Sequence, residues 1–159
     1  MAHPGLTALR CHDPTGLELV LDVFEWSPQL RTIGCSLHRQ SPDAVAALQR
    51  AMRRLSFIPT SICLDIFVGS SVRKGWEPIG DAERQIVGCL YTVSSVKVHA
   101  FSVHDIQLRI PWLAMLPCVA RLEMSVWPDG PADDRASLIE EARAALPRIP
   151  DIVMHSTLI

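Results

Sequence analysis

Two histidines and two carboxylates stand at positions that would let them act together if their segments were neighbouring strands. His99 and Glu123 lie in segments that alternate apolar with polar residues, and Asp65 and His155 lie in β-branched or apolar segments of strand length. A histidine in contact with a carboxylate can transfer a proton, and it can equally form part of a charged recognition surface. The sequence leaves both interpretations open, because the contact depends on strand register.

Signals for other chemistry are weak. Cys35-x-x-His38 has a spacing that a metal ion could use, but no second pair matches it, and structural zinc takes four ligands. Five cysteines at wide spacing without a CxxC favour reduced thiols over a disulfide framework. Glycine-rich phosphate signatures, the GxSxG elbow and the HExxH helix do not occur in the sequence. We therefore predict a non-enzymatic protein with no cofactor, no metal and no catalytic residue.

Composition limits the class of protein. A chain of 159 residues fits one domain, and 48% hydrophobic with 20% charged residues is typical of a globular protein. A formal charge of −2 gives no attraction to nucleic acid or to an anionic membrane, so we expect neither as a partner. The first residues, MAHPGLTALRCHDPTG, do not read as a signal peptide, which predicts an intracellular protein, cytoplasmic or nuclear.

The elements that must position these residues alternate helix with strand. Thr15 is expected to cap the first helix, with Glu18 as its capping-box partner. The second helix is predicted to start at Ser41-Pro42-Asp43, with Pro in the first turn. A strand is predicted over residues 96–103, followed by a short helix from Asp105.

The segment LPCVARLEMSV (116–126) gives the pattern that recurs along the chain, in which a Pro precedes alternating apolar residues. The anchors of the five units are spaced by 31, 35, 23 and 33 residues and are Pro28, Pro59, Ser94, Pro117 and Pro150. We predict an α/β fold in which residues 1–14 form an irregular lead-in and residues 15–159 form a single repeat domain. That domain is expected to be a degenerate leucine-rich-repeat-like array of five helix–strand units, with a mostly parallel sheet and helices on one side.

Alternation along each strand predicts which side chains face away from the helices. The residues expected to point inward are Ile33, Cys35, Leu37, Leu64, Ile66, Val96, Val98, Leu122, Met124, Ile152 and Met154. The outward residues expected to bind a partner are Asp65, Lys97, His99, Phe101, Arg121, Glu123, Trp127 and His155. Aromatic and arginine anchors suit protein recognition, although any amphipathic strand also exposes polar side chains to solvent.

Two phrases, LVLDVFEWSPQLRTIGCSL (19–37) and IPWLAMLPCVARLEMSV (110–126), resemble the helix-Pro-x-Leu-x-x-Leu-x-Leu units of fungal F-box/leucine-rich-repeat proteins. The Asn that usually follows the strand of this repeat is absent from each unit, and F-box helices are not visible in the sequence. The resemblance implies a substrate-receptor surface that binds another protein.

The alternative prediction is a compact three-layer α/β domain with a small-molecule-binding or enzymatic role, because helices and strands also alternate in doubly wound folds. Helices on both faces of the sheet would favour this alternative. The terminal units lack obviously polar caps, so we also expect association through the open ends of the array.

Overall fold

The structure is a computed structural model, and it describes residues 5–23, 29–37, 42–57, 60–68, 81–127 and 132–155. Within these residues strands and helices alternate along the chain. The elements are β1 (Ala8–Cys11), α1 (Pro14–Val23), β2 (Thr32–Leu37), α2 (Pro42–Leu55), β3 (Ile62–Val68), α3 (Asp81–Val87), β4 (Val93–Ala100), α4 (Val103–Gln107), α5 (Ile110–Leu113), β5 (Arg121–Val126), α6 (Ala132–Ala145) and β6 (Asp151–His155).

The described strands form one sheet in the order β1-β2-β3-β4-β5-β6, and each neighbouring pair runs parallel. Each connection between neighbours contains a helix. Right-handed crossovers that always step to the next strand in the same direction place their helices on one face of the sheet. The predicted α/β class and parallel sheet are confirmed, and the architecture differs from the three-layer alternative.

The core lies between the sheet and this single layer of helices. Ile33, Val96, Leu122 and Met124 are inaccessible to solvent, and they belong to one buried cluster with helix residues such as Leu138. Burying a side chain of this size stabilises the fold by about 1.5–3 kcal/mol. The strands therefore fix one face firmly against the helices and present the other face away from them.

The lead-in prediction is wrong for Ala8–Cys11, which forms β1 and pairs with Thr32–Cys35 of β2. The early Pro and Gly suggested irregular chain, but pairing with a neighbouring strand decides the conformation of so short a segment. The described part of the chain thus contains five helix–strand segments preceded by an additional strand. The first helix is also capped differently, because the Asp13 carboxylate, and not Thr15, accepts the hydrogen bond of the Gly16 N–H at 2.7 Å.

The strand predicted over residues 96–103 begins and ends earlier, at Val93–Ala100. Ser102 ends the extended chain because its hydroxyl accepts a hydrogen bond from the Asp105 N–H and caps α4. Pro111 lies in the first turn of α5, where a missing N–H costs no helical hydrogen bond. The proline therefore belongs to the start of the second of two short helices.

Within the described residues, no helix combines the length and apolar character needed to cross a membrane.

The side of the sheet away from the helices is called the open face below. The side chains of the open face include Arg10, Thr32, Ser36, Cys63, Asp65, Phe67, Ser95, Lys97, His99, Arg121, Glu123, Ser125, Asp151, Val153 and His155.

Candidate functional site

Register places the polar residues of the open face in rows that cross the sheet. Lys97 of β4 lies opposite Asp65 of β3 on one side and Glu123 of β5 on the other. Two residues further along, His99 lies between Phe67 and Ser125. Adjacent strands are about 4.8 Å apart, so side chains in these rows and on their diagonals are within reach of one another.

Asp65 is the centre of the first cluster of polar contacts. Its Oδ2 accepts hydrogen bonds from Arg10 Nε at 3.2 Å and Nη2 at 2.9 Å, and its Oδ1 lies 3.0 Å from His99 Nε2. The hydrogen bond from His99, helped by that from Arg10, lowers the pKa of Asp65, whereas burial acts in the opposite direction. The carboxylate is therefore held in its ionised form beneath its partners.

A glycine makes the contact between Arg10 and Asp65 possible. Gly34 of β2 lies between them in register, and Arg10 crosses β2 at this point. A Cβ added to Gly34 would lie 2.8 Å from Arg10 Cγ, closer than side-chain carbons pack. The absence of a side chain at Gly34 thus leaves the space in which the Arg10 side chain crosses β2.

Glu123 is the centre of the second cluster. Its Oε1 accepts a hydrogen bond from Arg121 Nε at 2.8 Å, and its Oε2 lies 3.0 Å from His155 Nε2 and 3.3 Å from Lys97 Nζ. Burial alone would raise the pKa of Glu123, but the hydrogen bonds from Arg121, His155 and Lys97 lower it to about 2. Arg121 also donates from Nη1 to Asp151 Oδ2 at 2.7 Å.

The two clusters repeat one arrangement. In each, a strand supplies a carboxylate and the next strand supplies a histidine two positions beyond the residue opposite that carboxylate. The Asp65–His99 and Glu123–His155 distances are both 3.0 Å. The structure therefore brings together the histidine–carboxylate pairs that alternation suggested, and it repeats the geometry two strands apart.

A hydrogen-bonded chain extends from the first cluster to Ser125. The Ser125 hydroxyl lies 2.5 Å from His99 Nδ1, while the other ring nitrogen of His99 faces Asp65. This order of serine, histidine and carboxylate can polarise a hydroxyl group. Acyl transfer also needs preorganised donors for an oxyanion, and β5 is paired on both sides, so its main-chain N–H groups are used in the sheet. The three side chains therefore hold one another in fixed positions on the open face.

Aromatic side chains gather where the central strands end. Phe67 and Phe101 make an edge-to-face contact with ring centroids 5.2 Å apart, and Trp127 lies 6.3 Å from Phe101. Phe101 and Trp127 are 42% and 50% exposed, which is unusual for such large apolar groups. These three residues are called the aromatic patch. Phe67 lies opposite His99 in register, and Phe101 and Trp127 follow the ends of β4 and β5.

The described residues contain no group of three potential ligands arranged to hold a metal ion. All five cysteines are free. Burial raises the pKa of the Cys35 thiol to about 12, so it remains protonated and is a poor ligand or nucleophile. His38, the other half of the Cys35-x-x-His38 spacing, lies outside the described residues.

All eight residues predicted for partner binding lie on the open face or at its aromatic end. Sequence reasoning did not select Arg10, Gly34, Ser125 or Asp151 for the site. Arg10 falls within the predicted irregular lead-in, where no strand face could be assigned to it. A glycine inside an alternating strand often marks a close approach, and this signal at Gly34 could have revealed the crossing arginine.

Comparisons with protein families, with curated proteins and with solved structures found no match to this chain. The fold and the geometry of the open face are therefore the basis for assigning a function.

Proposed function

We propose that this chain is a non-catalytic protein-binding module and that its partner docks on the open face. One observation carries the proposal. The polar side chains of this face form two clusters of hydrogen bonds and ion pairs, one linking β1, β3, β4 and β5 and the other linking β4, β5 and β6, and an exposed aromatic patch lies at the carboxyl ends of these strands. Side chains held in place lose less conformational entropy on binding than free ones, which favours affinity.

The composition of the face supports recognition. Arginine and large aromatic residues are enriched among the side chains that dominate binding energy at protein interfaces. Arg121, Phe101 and Trp127 have this character and are well exposed. Ion pairs on the same face as an aromatic patch provide both specificity and apolar contact area.

We further propose that the helix–strand segments are leucine-rich-repeat-like units, similar to the substrate-receptor repeats of fungal F-box proteins. The sequential order of parallel strands, and the recurrence of the carboxylate–histidine pair, support this interpretation. An intracellular location is part of the proposal, and the five free cysteines suit a reducing compartment.

Site-specific photo-crosslinking in the source cell tests the surface. A photoreactive phenylalanine analogue at Val153, which lies on the open face beside Glu123, is expected to capture a partner, whereas the same group at Glu140 on the exposed side of α6 is not. Arg121→Glu should abolish capture from Val153, and Arg143→Glu, the matched reversal on α6, should not. Equal capture from Val153 and Glu140, or capture unaffected by Arg121→Glu, would refute the open face as the binding surface.

A further inference from the structure

We infer that the partner presents an extended acidic peptide segment with an aromatic or aliphatic anchor. This inference depends on the proposed binding function and specifies the chemistry of the partner. The open face has equal numbers of arginine or lysine and acidic side chains in its two clusters, so net charge does not decide the class of partner. The decisive property is the depth of each charge.

The carboxylates of Asp65 and Glu123 are less exposed to solvent than the basic side chains that pair with them. The Asp65 and Glu123 side chains are only 10% and 17% exposed, whereas the side chain of Arg10 above Asp65 is 73% exposed. Lys97 and Arg121 above Glu123 are 41% and 48% exposed. An approaching molecule therefore meets guanidinium and ammonium groups before it can reach Asp65 or Glu123, whereas Asp151 of the edge strand β6 is 46% exposed beside Arg121.

The hydrogen-bond donors and acceptors left on the open face also favour an acidic partner. Both oxygens of Asp65 and both oxygens of Glu123 already have donors within the described residues. Guanidinium and ammonium groups carry five and three N–H donors, so Lys97 can pair with a second carboxylate, and Arg121, which already pairs with Glu123 and Asp151, with a third. A basic peptide would have to displace internal cations to reach Asp65 or Glu123, whereas an acidic peptide can bind the exposed donors of Lys97 and Arg121.

The aromatic patch fixes the position of an apolar anchor relative to the acidic residues. Phe101 follows Lys97 by four positions along the direction of β4, a distance of about 13 Å. An extended peptide lying along the strands would place an aromatic or aliphatic side chain on the patch and its carboxylates about four residues away. Exposed tryptophan and other aromatic side chains are frequent among the residues that dominate binding energy.

Selection from a displayed library of random 12-residue peptides on the whole chain tests the inference. We expect enriched sequences to combine Asp or Glu with one large apolar residue about four positions away. Synthetic peptides of that composition should bind more weakly as salt rises, because exposed charge pairs are screened. Lys97→Glu, Arg121→Glu and Trp127→Ala should each weaken binding about tenfold or more, and Arg143→Glu should leave it unchanged.

Two results separate failure of this inference from failure of the proposed function. Enrichment of basic or uncharged peptides whose binding requires Arg121 would overturn the acidic class while leaving the open face as a binding surface. No enrichment of peptides, together with successful crosslinking from Val153, would likewise overturn the peptide class alone. Enriched peptides that bind equally to wild type and to all open-face variants would overturn both. The far-UV circular dichroism of each variant should match wild type, since the three replaced side chains are well exposed.

Discussion

Arg10 hydrogen-bonds Asp65 across an intervening strand, with Nη2 and Oδ2 2.9 Å apart. The first and third strands of the sheet are joined in this way because Gly34 of the second strand has no side chain between them. Backbone pairing alone connects only neighbours, so this contact ties the short edge strand β1 to the interior of the sheet. It also fixes the carboxylate that His99 faces.

Gly34→Ala is predicted to destabilise the protein by about 1–3 kcal/mol, the cost of forcing atoms into an occupied space. The new Cβ would lie 2.8 Å from Arg10 Cγ and 3.4 Å from the Asp65 carbonyl oxygen. In an Arg10→Ala background the crowding is removed, so the same substitution should be neutral or stabilise by up to about 1 kcal/mol through reduced chain entropy. Urea unfolding of the four proteins in this cycle measures the difference. An equal cost of Gly34→Ala in both backgrounds would contradict the crossing arginine.

The depth difference between acidic residues gives a second prediction. Asp65→Asn should lower the free energy of unfolding by about 1–2 kcal/mol, because it weakens charge-assisted hydrogen bonds at a buried position. Asp151→Asn removes a carboxylate that also pairs with an arginine but is 46% exposed, so its cost should be about 0.5 kcal/mol. Urea midpoints of the two variants provide the comparison. Equal losses, or a larger loss for Asp151→Asn, would show that burial does not control these pairs.

Glu123 predicts how stability changes in acid. Its pKa falls from the usual 4.5 to about 2 in the folded protein, so the folded state binds fewer protons than the unfolded chain between these values. The contribution is fully present above pH 4.5 and is lost as pH falls towards 2. Glu123→Gln should therefore show a shallower fall in the free energy of unfolding across this window, measured by urea titration at successive pH values. Parallel curves for wild type and variant would contradict the hydrogen-bond network around Glu123.

The sequence predicted which strand residues face away from the helices, but it did not predict the first strand. Period-two alternation assigned Lys97, Glu123 and His155 to the outward side, because inward positions such as Leu122 are strictly apolar. Strand β1 was missed because a four-residue segment carries too little periodicity, and its conformation depends on pairing with β2. The Arg10–Asp65 contact could not be predicted for the same reason.

The contacts between side chains of the open face depend on strand register and could not be predicted from the sequence. Whether His99 meets Asp65 or Ser125 depends on register, which alternation restricts to one face but does not set residue by residue. The depth of Asp65 was also not readable from the sequence, since the position alternates as an exposed one yet becomes buried under Arg10 and His99. Local pattern therefore predicts which side chains share a surface, and tertiary pairing decides which of them are accessible.

The hydrogen-bonded side chains of Ser125, His99 and Asp65 are predicted not to catalyse hydrolysis. A fluorophosphonate probe reports an activated serine, and we expect no labelling of Ser125 above that of Ser125→Ala, because β5 offers no free main-chain donors for an oxyanion. Hydrolysis of p-nitrophenyl acetate should likewise be the same for wild type and His99→Ala. Labelling that requires Ser125, His99 and Asp65 together would establish catalysis and contradict the non-catalytic proposal.

The outermost strands predict association between copies of the chain. β1 and β6 each pair with a neighbour on one side only within the described sheet, and an unpaired strand edge can add another strand. We expect reversible, concentration-dependent dimerisation in sedimentation velocity experiments. Arg121→Glu serves as the control, because it alters the open face and leaves the main chain of both edges unchanged, so it should not reduce dimerisation through the edges. A monodisperse monomer at high concentration would contradict edge association, and loss of the dimer in Arg121→Glu would instead place the contact on the open face.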